Sequence, residues 1–331
     1  MLKRSSGFLE GRPPQSGKRQ DDDVVQAAWL YYVGNFSQQD ISERLGISRF
    51  KVIRTLADAR EQGLVRISVE HQTTPTLELA DQLMETFDLR EVKVAAVPAP
   101  SPDHAYERTA VSILAASYLT RIAAGDTPRV IGVGWGRTLS AMADHLTGLS
   151  NRSLTFVSLM GSVSLATRTA PGDVCVRLAT QTGGRAMVLP APFVADSAEA
   201  CATILEQRLV RETLSVARSA SHALMSVGEC RDGAILFEGG LFSAEQIAEL
   251  RGHGVVGDCC GVFFEADGTV ADIVLNQCTP CIKPEEMGKM DVTIMAGGAT
   301  KAAATLAVLR AGFDDRLLID ETLARVIIER A

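Results

Sequence analysis

From residue 92 onward, short runs rich in Val, Ile and Leu end in small residues, and helical patterns follow them. "RVIGVGWGRTLSAMADHL" reads as strand, glycine loop and helix, and "VTIMAGG" with "ATKAAATLAVLRAG" repeats the scheme. Further strands are expected at Val92–Val97, "LTFVSLMGS", "AMVLPAP", "HALMSVG", "CGVFFEADGTV" and "RLLID". Helices are expected at Leu77–Phe87, Tyr106–Ala124, "DVCVRLATQTGG", "SAEQIAELRGHG" and "ETLARVIIER". Apolar strands alternating with helices are buried on both faces, which implies a doubly wound, mostly parallel α/β sheet. Ligands of such sheets sit at the carboxyl ends of the strands, where the loops gather.

At 331 residues and 46% hydrophobic, the chain has room for this domain and a second one. No apolar run approaches the ~18 residues that span a bilayer. The first 20 residues lack the apolar core of a signal peptide and read as a disordered polar arm. Seven cysteines, an odd number, without an export signal fit free thiols in a reducing cytoplasm. Charge is unevenly spread. The net charge is -7, yet residues 1–20 hold five Lys/Arg against one Glu, and residues 44–66 hold six against two acids. A basic end on an acidic body suggests a module for a polyanion.

The basic segment has an internal logic. Asp22–Val33 suits a first helix, and Gly34-Asn35 ends it. Ser37-Gln-Gln-Asp resembles a capping box opening a second helix that runs to about Leu45. Gly46 permits a tight turn, and Ser48 is a good N-cap for a third helix. There Val52, Ile53 and Leu56 are expected inward, leaving Arg49, Phe50, Lys51 and Arg54 outward. This is a helix-turn-helix pattern, whose second helix enters the DNA major groove N-terminus first. "LVRISVE" then alternates like a wing strand, with Arg66 near the DNA backbone. Ser37, Gln38 and Ser48 complete the expected DNA contacts.

Three loops of the body are chemically pointed. In Gly132-Val-Gly-Trp-Gly-Arg-Thr138, Gly134 and Gly136 let backbone N–H groups approach an anion at a helix start, with Arg137 and Thr138 adding a charge and a hydroxyl. It is neither a dinucleotide fingerprint nor a P-loop. In Met295-Ala-Gly-Gly-Ala-Thr-Lys301, Lys301 opposes the helix dipole unless an anion is near. Asp258, in Val256–Gly261, is suited to hydroxyl groups or to capping a turn.

In order along the chain, "SQQDISERLGISRFKVIRTLADAREQGLVRI", "GVGWGRTL", "VSLMGS", "LPAPFVADS", "SVGEC", "GDCCGVFFEADG" and "AGGATKAAATLAVLRAGFDDRLLIDETLA" resemble the SorC family of sugar-binding transcriptional regulators. The resemblance covers about residues 22–330. It implies a winged-type helix-turn-helix followed by an effector domain akin to sugar-phosphate isomerases. It also implies operator binding as a homodimer or homotetramer, altered by a sugar, sugar alcohol or sugar phosphate. The family's effector contacts fall at Gly134, Gly136, Arg137, Thr138, Asp258 and Lys301. Gly161 and Ser162, closing the strand "LTFVSLMGS", join them as candidates, as does Arg168. Arg168 is the only obvious loop base for a second phosphate, which favours a monophosphate or an uncharged polyol over a bisphosphate. The expected organisation is an arm at 1–20, a DNA-binding domain at 21–70, a linker at 71–80 and the effector domain at 81–331.

Two rival readings stand beside this one. The body also suits a sugar-phosphate isomerase or deaminase, but none of the five histidines (71, 104, 145, 222, 253) lies in the three loops. Cys278-Thr-Pro-Cys281 suggests metal or redox sensing, but zinc needs four ligands and there is no second such pair. Buried inert thiols are expected instead, with no cofactor and no metal.

Overall fold

The computed structural model describes residues 16–65, 74–97, 101–125, 127, 129–163, 171–234, 236–237 and 241–331. The chain divides into two units, Met1–Ser68 and Val69–Ala331. Among the described residues no helix is long and apolar enough to cross a membrane.

The first unit holds α1 (Ser16–Tyr32), α2 (Gln38–Leu45) and α3 (Arg49–Glu61). α1 starts well ahead of Asp22, so residues 16–20, expected to be disordered, are helical. No glycine or proline falls between Gly17 and Gly34 to stop the helix from extending backward. Asn35, at φ 54°, takes the left-handed turn that follows. Ala27, Ile41, Val52 and Leu56 form the core, with Leu30, Phe36, Leu45 and Ile47 packed against it. α3 buries Val52, Thr55, Leu56 and Ala59, one stripe at i, i+3, i+4 and i+7. Ile53, assigned inward from the sequence, falls off that stripe and is 45% exposed.

The second unit carries β1 (Glu91–Ala95), β2 (Arg129–Val133), β3 (Leu154–Ser158), β4 (Arg185–Met187), β5 (His222–Glu229), β6 (Val255–Cys259), β7 (Val262–Glu265), β8 (Asp291–Ala296) and β9 (Arg316–Asp320). Its helices are α4 (Thr74–Phe87), α5 (Ala105–Ile122), α6 (Arg137–His145), α7 (Pro171–Thr182), α8 (Ala198–Glu206), α9 (Arg208–Arg218), α10 (Ala244–Gly252), α11 (Val274–Gln277), α12 (Ala302–Ala311) and α13 (Glu321–Arg330). Seven of the described strands run parallel, in the order β1-β9-β8-β5-β2-β3-β4.

Alternation along these strands sorts two cores. On β5, Ala223, Met225 and Val227 join α4, α9, α12 and α13, whereas Leu224 points to α5, α6 and α7. On β8, Val292, Ile294 and Ala296 divide from Met295 in the same way. The sheet is therefore covered on both faces, as apolar parallel strands require. α6 leaves β2 for one face and α12 leaves β8 for the other. Between them the carboxyl ends of β2, β5 and β8 form the crevice where such sheets take ligands.

Two boundaries differ from expectation. α4 begins at Thr74, within the segment expected to be a linker, and buries Thr76, Leu79 and Ala80. Val256–Gly261, expected as a loop, is mostly strand β6 turning into β7. Cys260 and Gly261 both have positive φ (52° and 78°), which a two-residue hairpin turn of this hand needs. β5 outruns the parallel sheet, and its last residues, Val227–Glu229, pair antiparallel with β6. Helices α8 and α9 and strand β6 are absent from the sequence reading.

Candidate functional sites

In the first unit the local chemistry fixes α3. Ser37 caps α2, its Oγ accepting the Asp40 N–H at 3.2 Å while its own N–H donates to Asp40 Oδ2 at 3.1 Å. Gly46 takes φ 62° with open space where a side chain would be, and Ser42 Oγ donates to Ile47 O at 2.6 Å, tying the turn. Ser48 Oγ accepts the Lys51 N–H at 3.2 Å, so α3 starts at Arg49. Arg49, Phe50, Lys51 and Arg54 are all exposed on its first turns. Gln38 is half-buried and Ser37 and Ser48 exposed. Arg66 and the expected wing strand beyond Val65 lie outside the described residues.

In the second unit a pocket opens at the crevice, lined by Gly136, Arg137, Ser226, Gly228, Glu229 and Lys301. Arg137 is the first residue of α6, and Lys301 the residue before α12, so two helix starts from opposite faces converge here. Gly136, at φ 124°, gives α6 no side-chain cap, and a Cβ there would collide with Ser226 Oγ. A cation at a helix start opposes the dipole; Arg137 stands at the uncapped start of α6, and Lys301 closes the 3-10 turn Ala299–Lys301 that leads into α12, so the two cations together make a place for an anion.

The electrostatics agree. Burial, aided by Arg137 and Arg108, pushes the Lys301 ammonium down to about 8, although Glu229 and Asp258 pull the other way. Burial lowers Arg108 as well, with Arg137 as its next largest cause, so the three cations crowd one another. Lys301 Nζ donates to Val227 O at 2.8 Å. Glu229 is only 7% exposed and accepts from Arg231 Nε at 2.7 Å. Asp258 is buried on β6 behind Gly228, where it accepts the Gly261 N–H at 3.1 Å. Burial raises it to about 6, against the Gly261 N–H, Lys301 and the Trp135 side chain. The arrangement suits one phosphate or carboxylate against Arg137 and Lys301, with Glu229 as an acceptor for hydroxyl groups.

The family model described as "Putative sugar-binding domain" matches residues 71–329. The erythritol catabolism regulatory protein EryD of Brucella abortus is 30% identical over 311 residues, 93% of this chain and 96% of that protein. The deoxyribonucleoside regulator of Bacillus subtilis is 31% identical over 309 residues, 92% and 96% of the two chains. The full-length sorbitol operon regulator SorC of Klebsiella pneumoniae superposes with a TM-score of 0.68 at 25% identity, over 93% of this chain and 99% of that one. The chain belongs to the SorC family of sugar-binding transcriptional regulators.

Within this SorC-family fold the sequence-assigned effector residues divide. Gly136, Arg137 and Lys301 line the pocket, and Asp258 stands directly behind it. Gly134 does not line it. Its N–H already donates to Leu224 O at 2.8 Å, and the missing Cβ makes room for Cys260 Sγ. Thr138, the second residue of α6, is fully buried on its inner side and is not among the pocket's lining. Gly161 and Ser162 are not among the pocket's lining; their N–H groups donate to Pro280 O and Ala191 O, and a Cβ on Gly161 would collide with Pro192 O. Arg168 lies outside the described residues.

Glu229, Ser226 and Arg108 escape the sequence reading. For Glu229 there was a signal, an acid directly after the glycine that ends "HALMSVG". Arg108 lies in the first turn of α5 with no motif around it. His104, excluded from the loops by sequence, packs in space against Gly298 of the β8–α12 loop. Burial raises the Cys278 and Cys281 thiols, which keeps them protonated. Among the described residues no group of three or more His, Cys, Asp or Glu is arranged to hold a metal ion.

Proposed function

We propose that this chain binds operator DNA through the exposed side of α3, and that a sugar, polyol or sugar monophosphate in the Arg137–Lys301 pocket changes that binding. It would thereby set transcription of a carbohydrate or polyol catabolic operon. The observation that carries this reading is the convergence of Arg137 and Lys301 beside Glu229, at strand ends, in a chain whose other unit exposes three cations on the first turns of one helix. The names of the relatives support the ligand class: erythritol, deoxyribonucleosides and sorbitol are polyols or carry a sugar. In this reading the active species is a dimer or tetramer, its heads on half-sites about 10 base pairs or a multiple apart. The effector acts only as far as it prefers one arrangement of the subunits.

The experiment is fluorescence anisotropy with duplexes from the promoter region of the chain's own gene, at low salt, with tetritols, pentitols, hexitols and their phosphates. The expected result is salt-dependent binding that one of these ligands shifts. Absence of duplex binding, or a complex that ignores the whole panel, overturns the proposal.

The pocket in this reading reports occupancy and does not turn its ligand over. One arrangement favours the rival enzyme: His104 Nδ1 lies 3.3 Å from the buried Glu107 carboxylate, a base with an orienting partner near the β8–α12 loop. A coupled isomerase and deaminase assay on the same phosphates separates the two, and turnover there would displace the regulator-only reading.

A further inference from the structure

α3 carries an aromatic ring where a phosphate-binding surface has no use for one. Phe50 is its second residue and is 86% exposed. Ile53, on the same side one turn later, is 45% exposed and extends the apolar strip. Arg49 and Lys51 flank Phe50 in the chain, Lys51 and Arg54 line one recess with it alongside Asp23 and Asp58, and residues 44–54 hold four cations and no acid. Phosphate oxygens want N–H and O–H donors, so a phenyl ring gains nothing from them. Base edges in the major groove do offer an apolar group, the C5 methyl of thymine, and Phe is among the side chains that meet it. The Ser48 cap puts Phe50 in the first turn, the end that a recognition helix presents to the bases.

We propose that Phe50 reads a thymine methyl group in the operator and is a specificity-determining residue. The proposal rests on the DNA-binding reading above. The partner is duplex DNA, since the cations framing the ring complement a polyanion and the aromatic ring complements the methyl group inside its groove.

Duplexes retained by the full-length protein from a randomised library define its site. Each dT of that site is then replaced in turn by dU, which deletes the methyl group and keeps the base pair. At one or two positions in each half-site, dU should weaken wild-type binding about fourfold, the value of one buried methyl group. Phe50→Ala should weaken binding of the dT duplex by at least as much and become indifferent to dU. Phe50→Leu, which keeps an apolar side chain, should retain sensitivity at the same positions, and it decides the matter if Phe50→Ala binds too weakly to measure. A flat dU scan with wild type overturns the proposal, as does a full dU effect persisting in Phe50→Ala. So does a flat scan accompanied by a changed oligomeric mass in Phe50→Ala, which would turn the ring toward protein. Failure of the library to yield any retained duplex at low salt instead removes the DNA-binding reading itself, and the methyl contact with it.

Discussion

The two units set out their candidate site residues in opposite ways. In the first, Arg49, Lys51 and Arg54 are neighbours in the chain and stand outward on one helix, held by a core built on Ala27, Ile41, Val52 and Leu56. In the second, Arg137, Glu229 and Lys301 come from three strand ends far apart in sequence and line a recess, held by a core on each face of the sheet. An exposed reading surface needs one helix in place. A recess needs several strands in register. The first is therefore easy to lose by loosening a small core, and the second is hard to disturb from outside its own unit.

The largest effect that tests this contrast is Ile41→Ala. Ile41 is fully buried, and deleting a side chain of this size from a core costs about 2–5 kcal/mol. Calorimetry should show the first unit melting at a lower temperature and DNA binding lost, while the ligand-induced thermal shift of the second unit persists. A single transition that moves as a whole would break the comparison.

Arg49→Ala should come next. A base contact is worth about 1–3 kcal/mol, so operator affinity should fall roughly 5- to 150-fold with the fold intact and sugar binding unchanged. An unchanged operator affinity would mean that α3 does not present Arg49 to the DNA.

The same contrast explains what the sequence disclosed. The head was legible because its signals are local: Ser37, Gly46 and Ser48 each do their work within three or four residues, and the outward cations follow from helical spacing. Ile53 departs from its expected inward position because burial on α3 follows one narrow stripe, and a short apolar run does not say where that stripe is centred. The sheet was legible from its apolar strands and glycine loops, and those loops led to Gly136, Arg137 and Lys301. Gly134 and Gly161 show the limit of that argument. At both positions close packing, against Cys260 and Pro192, already requires glycine, so the residue type alone does not point to a ligand. Strand β6 has the local pattern of a loop because "VVGDC" holds a glycine and an aspartate, which strands disfavour. Pairing with β5 and β7 overrides that preference. Arg108 does not line the pocket; its charge comes near Arg137 and Lys301 only through the packing of α5 against the sheet, which no local pattern encodes.

Arg137→Ala should sharpen the contrast from the other side. A hydrogen bond to a charged group is worth about 1.5–3 kcal/mol, so affinity for a phosphorylated effector should fall about 10- to 150-fold. Operator binding without ligand should be unchanged. A variant that still responds at the wild-type ligand concentration would remove Arg137 from the site.

The smallest expected effect is on pH, and it tells a charged effector from a neutral one. Lys301 titrates at about 8 in the folded protein, against an ordinary value of 10.5. Its ammonium is thus disfavoured by folding, so this group lowers stability below about pH 8, and the loss is recovered as pH rises toward 10.5. An anion in the pocket needs that ammonium, so its binding should change in the opposite sense and weaken as pH passes 8, by up to about tenfold from pH 7 to 9. Over that range a phosphate monoester keeps its charge and guanidinium groups keep theirs, while Asp258, at about 6, is already ionised. Isothermal titration at pH 7, 8 and 9 should show this slope for a sugar phosphate, a much shallower one for the parent polyol, and none for the phosphate with Lys301→Met. Equal slopes for both ligands would mean that the phosphate does not meet Lys301, and the recess would then recognise its occupant by hydroxyl groups alone.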